Sequence, residues 1–249
     1  MDITGNTILI TGGGTGIGRG LAEALHAAGN TVIITGRRRT PLEAVATAHP
    51  GMHLATLDID DAAGIRDFAA HVVAEHPALN VLINNAGIMR VEEVLTGPDA
   101  LATAEATIST NLLGPIRLTS ALLPHLVAQP KAAVVNVSSG LAFVPRADTP
   151  TYSATKAAIH SYSMSLRHQL RNTAVQVIEL APPLVATDLT PGQRDNPRAL
   201  PLEGFIQESM ALLVADPNAA EILVERVMAQ RTAEATGHFA AVFEMINPS

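Results

Sequence analysis

Short apolar runs and amphipathic stretches alternate along nearly the whole chain. The runs lie at Thr7–Thr11, Thr31–Gly36, His53–Leu57, Val81–Ile83, Ala132–Val137 and Val175–Leu180, and most are almost continuously apolar. Strands buried on both faces read this way, because each face of a parallel sheet is covered by helices. Between them, helical spacing predicts helices over Ile17–Ala28, Pro41–Ala48, Ala62–Glu75, Ala100–Val127 and Tyr152–Arg171, with Pro-interrupted helix after Leu202. Gly29-Asn30 stops the first helix, and Pro77, Pro130 and Pro150 mark the ends of other segments. The alternation predicts the α/β class: a single-domain, doubly wound parallel sheet of six strands flanked by helices, with a seventh left open.

Two segments break the rhythm. Pro182–Pro201 holds five prolines and one glycine, too irregular for a regular element and too long for an ordinary connector, so residues 182–204 are expected to form a lid over a substrate. The tail Gly237–Met245 reads either as a last strand or as a helix packed on the core or on a partner subunit.

Composition narrows the function. Hydrophobic residues make up 47% and aromatics 3%, so an aliphatic core is expected within one domain spanning residues 1–249. No uninterrupted apolar run of about 18 residues occurs, and Met1–Gly5 lacks a basic region followed by an apolar one; a cytoplasmic protein without a membrane span is expected. The absence of cysteine excludes disulfides, thiolate metal sites and a Cys nucleophile, so any redox chemistry must come from a cofactor. A net charge of −7 argues against a nucleic-acid surface. The nine histidines show no His-x-x-x-His or carboxylate cluster on a plausible metal-ligand helix, and no metal is expected.

Chemistry concentrates in two places. After the first strand come Thr11-Gly12-Gly13-Gly14-Thr15-Gly16-Ile17-Gly18 and a helical pattern. A strand, a Gly-rich turn and a helix start aim backbone N–H groups and the helix dipole at an anionic pyrophosphate. The alternative is a turn rich in glycine for geometry alone. Further along, Tyr152 and Lys156 stand one helical turn apart, with Ser139 thirteen residues before Tyr152. On a helix the ammonium lies beside the phenol and favours the phenolate, which would bring a group of pKa ~10 into use near neutral pH.

TGGGTGIG, Asn84-Asn85-Ala86-Gly87, Asn111, Ser139 and Tyr152-x-x-x-Lys156 occur in the order and approximate spacing of the short-chain dehydrogenase/reductase family, which the chain resembles over nearly its whole length. The stretch LAPPLVATDLTPGQ resembles a poorly characterised bacterial reductase subgroup. The resemblance implies a Rossmann-like fold and a nicotinamide-dependent oxidoreductase. It assigns Gly12, Gly14, Thr15, Gly16, Ile17 and Gly18 to the pyrophosphate, Asp58 and Ile59 to the adenine, and Asn85, Ala86 and Gly87 to the adenosine ribose. Pro182, Val185 and Thr187 fall to the nicotinamide, although Pro183 stands where glycine is usual and removes an N–H donor. The second strand ends Thr35-Gly36-Arg37-Arg38-Arg39 without an acid, so Arg37 and Arg38 are expected to pair with a 2′-phosphate and select NADP(H); a solvated arginine run is the alternative.

The expected reaction interconverts a carbonyl compound and its alcohol. Tyr152 is the general acid/base, Ser139 orients the substrate oxygen, Lys156 lowers the Tyr152 pKa and holds the nicotinamide ribose, and Asn111 holds a water that refills the proton. Ser138 is the rival to Ser139. A small hydrophobic ketone or aldehyde is expected, walled by Leu141, Phe143, Val144, Leu184 and Leu189, with an anionic substrate at Arg194 and Arg198 as the alternative. Two other readings remain: a non-catalytic NADPH-sensing regulator, and a dehydratase or epimerase on the same fold. By resemblance, the segments Ala100–Val127 and Tyr152–Arg171 pair across a two-fold axis in a homodimer or homotetramer.

Overall fold

All seven strands of the sheet run parallel, in the order β3-β2-β1-β4-β5-β6-β7. The computed structural model describes residues 1–248, the side chains of residues 99 and 100 excepted. In chain order the elements are β1 (Thr7–Thr11), α1 (Gly16–Ala27), β2 (Thr31–Gly36), α2 (Arg39–Ala48), β3 (His53–Thr56), α3 (Ala62–Glu75), β4 (Leu79–Asn84), α4 (Pro98–Ile108), α5 (Gly114–Ala128), β5 (Ala132–Val137), α6 (Pro150–Gln169), β6 (Val175–Leu180), α7 (Leu202–Ala215), β7 (Glu221–Ile222), α8 (Met228–Arg231) and α9 (Phe239–Ile246). Pro150 opens α6 and Pro41 lies in the first turn of α2, where a missing N–H leaves no bond unmade.

The alternation of side chains along each strand divides the core in two. Ile8 and Ile10 of β1 join Val32, Ile34, Val81, Ile83 and Val135 beneath α1 and α7. Leu9 points the other way, with Ile33, Leu82 and Val134, and meets Leu118, Leu122 and Leu126 of α5. Gly114 lets α5 cross closely, since a Cβ there would stand 2.9 Å from the Ile59 carbonyl oxygen.

The structure refines three expectations. The helix expected over Ala100–Val127 is two helices, α4 and α5, joined by a π-helical turn at Ser109–Leu113. Within that turn the Asn111 side chain is bound to a neighbouring loop, a tertiary contact of the kind that accompanies such bulges at functional positions. The seventh strand exists, but it is the two-residue β7, paired through Glu179↔Glu221 and Leu180↔Ile222; the tail Gly237–Met245 does not supply it and instead forms α9. The segment expected as a lid ends early, because α7 already begins at Leu202. What remains is pinned: Leu200 N–H donates to the Leu184 carbonyl at 2.8 Å, and Gln193 Nε2 donates to the Val185 carbonyl at 2.8 Å. No helix among the described residues is long and apolar enough to cross a membrane.

Phe205 of α7 is fully buried in the α1-side core. Phe205→Ala is therefore expected to lower unfolding stability by about 3–5 kcal/mol, measured by urea denaturation.

Candidate active site

Between β1 and β4 the strand order reverses, and the crevice outside the carboxyl ends of the strands opens there. One staple holds its lips together. The Thr11 hydroxyl accepts from the backbone N–H groups of Asn85 and Ala86, both at 3.0 Å, while Asn85 Nδ2 donates to the Thr11 carbonyl at 2.9 Å. The Gly-rich turn thus lies directly against the segment following β4.

Glycine is required in that turn by contact as well as by torsion. Gly12 has φ +68°, and a Cβ on Gly18 would collide with the Gly12 carbonyl oxygen. Gly18 packs the helix against the turn and does not line the crevice. Thr15 precedes α1 without a side-chain cap, so the first N–H groups of that helix are left to a ligand. An uncapped helix start beside a glycine cradle fits a dinucleotide pyrophosphate.

A cleft of about 400 Å³ is lined by Gly12, Thr15, Gly16, Ile17, Arg37, Arg38, Asn85, Ala86, Gly87, Ser139, Tyr152, Lys156, Pro182, Val185 and Thr187 among others. A contiguous cavity of about 290 Å³ adds Gly14, Leu57, Ile59 and Thr110 at the Arg37/Arg38 end. Motifs spread over most of the chain therefore converge on one place. A larger groove of about 510 Å³ lies at the opposite ends of the strands, by Met1, Lys131 and Arg171, and contains no predicted site residue.

Asp58 is exposed, its carboxylate accepts from the Asp60 N–H at 3.0 Å, and it lines neither cavity. The acid near the arginines is Asp60, 3.7 Å from Arg37 and held by the Thr110 hydroxyl. Gln193, which the sequence did not single out, donates to the Thr187 hydroxyl at 3.2 Å and fixes it at the cleft wall.

The residues expected to move a proton are all buried: Ser139 is 8% exposed, Tyr152 7%, Lys156 5% and Asn111 1%. Ser139 Oγ accepts from the Leu141 N–H at 3.1 Å, which sets it at the start of a short 3-10 turn. Glu92 accepts from the N–H and hydroxyl of Thr151 at 3.1 and 2.6 Å, anchoring the first turn of α6 beside Tyr152. Asn111 uses both ends of its amide on Ile88, accepting from its N–H and donating to its carbonyl, each at 2.8 Å. Its side chain is therefore a clasp for the loop after β4.

Burial works against the expected activation of the phenol. Burial pushes the Tyr152 phenol up to about 12, with a Ser139 hydrogen bond opposing it, and Lys156 does not offset that rise. Lys156 itself is pushed down to about 8 by burial, with the charge of Glu179 opposing. Its ammonium donates to the Val137 carbonyl at 2.8 Å and lies 5.5 Å from the centre of the Tyr152 ring. Among the protein's own groups, desolvation outweighs the cation's pull on the phenol.

Sequence reading also missed a buried charged network. Glu179, fully buried on β6, accepts from the Ser138 hydroxyl at 2.5 Å and meets His160 Nδ1 at 2.7 Å. The available signal was a carboxylate inside a largely apolar strand. His160, Glu179 and Glu221 bring ligand atoms within 4.8 Å of one another, although Arg231 already forks onto Glu221 with both contacts at 3.0 Å. Phe143 packs between His160 and Arg231, Val144 is fully buried, and Arg194 pairs with Asp188. Of the five residues expected to wall an apolar pocket, Leu189 alone lines the cleft, joined there by Ile88, Met89 and Arg90.

Residues 6–198 match the family model described as short chain dehydrogenase. The chain is 41% identical over 250 residues to Uncharacterized oxidoreductase DltE of Bacillus subtilis (strain 168), covering 99% of this chain and 98% of that protein. It is 32% identical over 179 residues to the NADP-dependent 3-hydroxy acid dehydrogenase YdfG of Escherichia coli (strain K12), covering 72% of each. A crystal structure of a short chain dehydrogenase from Burkholderia cenocepacia J2315 in complex with NADP superposes with a TM-score of 0.81 over the full length of both chains, at 25% identity.

Tyr152 and Tyr162 are the two tyrosines, and tryptophan is absent, so phenolate absorbance reports on them cleanly. Without added nucleotide, no Tyr152-dependent ionisation step is expected below about pH 11. A step at lower pH that disappears in Tyr152→Phe would show that burial does not govern the ionisation of this phenol.

Proposed function

The chain belongs to the short-chain dehydrogenase family of oxidoreductases, and from that membership we propose that it interconverts a carbonyl compound and its alcohol with NADP(H), Tyr152 serving as general acid/base. The observation that carries this reading is the meeting of buried Ser139, Tyr152 and Lys156 in one cleft with the Gly-rich turn and Arg37/Arg38. A bound nicotinamide supplies or accepts the hydride. Negative charge then develops on the carbonyl oxygen, and Tyr152 donates its phenolic proton there while Ser139 hydrogen-bonds the same oxygen. A phenol held near 12 is a poor acid by itself, so Lys156 must carry its charge to stabilise the phenolate that remains. Asn111 contributes by clasping Ile88 at the cleft wall.

NADP(H) is favoured over NAD(H) because β2 is followed by exposed Arg37 and Arg38, which line both cavities, with no carboxylate at the strand end. The NADP-dependent hydroxy acid dehydrogenase among the relatives is in keeping with this. Thr187, held by Gln193 and lying against Gly16, would meet the nicotinamide carboxamide. For the substrate, the Ile88, Met89 and Leu189 wall favours a small hydrophobic ketone or aldehyde. A homodimer or homotetramer is the proposed assembly, supported by exposed Ile108, Val127 and Met164 on α4, α5 and α6. A purely NADPH-sensing role would leave the joint burial of Ser139, Tyr152, Lys156 and Asn111 without a purpose.

Tyr152→Phe is expected to cut NADPH oxidation, assayed with cyclohexanone, acetophenone and benzaldehyde, by about 10²–10⁴-fold while NADPH affinity read by nicotinamide fluorescence stays put. Undiminished turnover would sink the assignment. Replacing Arg37 and Arg38 together by alanine should weaken NADPH by about tenfold or more and leave NADH nearly unchanged. Equal weakening of both nucleotides would remove the case for 2′-phosphate recognition.

A further inference from the structure

Resting on the catalytic reading above, we infer that Glu179 is a positioning residue whose buried carboxylate fixes the Ser138-Ser139 turn and acts as the counter-charge of Lys156. Glu179 belongs to β6, one strand away from the serines, and is fully buried. An ionised carboxylate there is costly unless both oxygens are bound. One is taken by the Ser138 hydroxyl at 2.5 Å and the other by His160 Nδ1 at 2.7 Å. The backbone is tied across the same gap: Ser138 N–H donates to the Leu180 carbonyl and Gly140 N–H to the Pro182 carbonyl, both at 2.8 Å. Ser139, between them, has its position set by the ends of β5 and β6 together.

The second grip is on α6. Tyr152, Lys156 and His160 follow one another at i, i+4 and i+8, on one face of that helix. Binding His160 to Glu179 clamps this face onto β6. The charged groups around Glu179 come from each neighbouring element: His160 on α6 binds it directly, with Lys156 one turn earlier and tied to the Val137 carbonyl beside Ser138, Glu221 lies in register on β7, and Arg231 on α8 neutralises Glu221 and covers the Phe143 ring at 4.9 Å. Arg231 is thereby occupied with Glu221. Glu179 is the charge that opposes the loss of the Lys156 proton on burial. An aliphatic residue would pack in an apolar strand at least as stably, so stability by itself gives no reason for a carboxylate here.

Lys131 and Lys156 are the two lysines of the sequence, and Lys131 is exposed. NMR of protein carrying isotope-labelled lysine therefore resolves the Lys156 titration, with Lys131 as internal control. Because the Glu179 charge raises the Lys156 pKa, Glu179→Gln should move the Lys156 titration to lower pH by about one pH unit, with the Lys131 titration unmoved. Activity needs the charged ammonium, so the alkaline limb of turnover, assayed with whichever of the three carbonyl compounds is reduced fastest, should move to lower pH by the same amount. A folded Glu179→Gln protein whose Lys156 titration and pH profile both match the wild type would overturn the inference. Should that variant not fold, Glu179→Asp keeps the charge and withdraws it from Ser138. It is expected to lower kcat about tenfold or more with the alkaline limb in place, and an unchanged kcat would equally overturn the inference. Retention of turnover in Tyr152→Phe would refute the catalytic reading and leave the Lys156 titration as an independent test of Glu179.

Discussion

Thr11 joins the two halves of this molecule where its function would have to reside. At the reversal of strand order, α1 leaves β1 toward one face of the sheet, while the chain after β4 turns toward the other. Nothing in the ladder of strand hydrogen bonds closes that gap, because the strands have ended. A single hydroxyl, accepting from Asn85 and Ala86, and a single amide, Asn85 Nδ2 on the Thr11 carbonyl, set the distance between the glycine cradle and the segment after β4. The floor of the cleft and the close approach of Gly12 and Gly18 follow from it.

Burial then determines what the cleft can do. A phenol and an ammonium placed in water would each keep an ordinary pKa. Enclosed between α6 and the end of β5, both are driven toward their neutral forms. That is an unfavourable starting point for proton transfer, and the chain answers it with a carboxylate in an apolar strand. The Glu179 charge reaches Lys156, its hydrogen bonds reach Ser138 and His160, and the short β7 brings Glu221 and its partner Arg231 to complete the balance. The last elements of the chain also hold the loop between Ser139 and Tyr152. Phe143 lies against Arg231, and Asn247 accepts from the Ala147 N–H at 2.6 Å.

Much of this was legible in the sequence, for reasons of period and spacing. Apolar runs bounded by glycine and proline located six strands to within one or two residues, because burial on both faces leaves few polar positions to blur them. The Gly-rich turn, Asn85-Ala86-Gly87, Ser139 and Tyr152-x-x-x-Lys156 were identifiable because each is a local constraint on backbone or helix geometry. That Asp58 lies outside both cavities was not legible, because folding decides which groups line the crevice. The break at Ser109–Leu113 was invisible because its partner, Ile88, lies more than twenty residues earlier.

By itself the sequence determined the class of fold, the cradle for an anion, and the set of groups able to move a proton. Those properties follow from torsion, periodicity and residue chemistry, which act over a few neighbouring positions. Tertiary structure alone decided how readily those groups ionise and which are held. Desolvation depends on everything packed around a residue, and the partners of Lys156, Asn111 and Glu179 come from strands, helices and loops that only folding brings together.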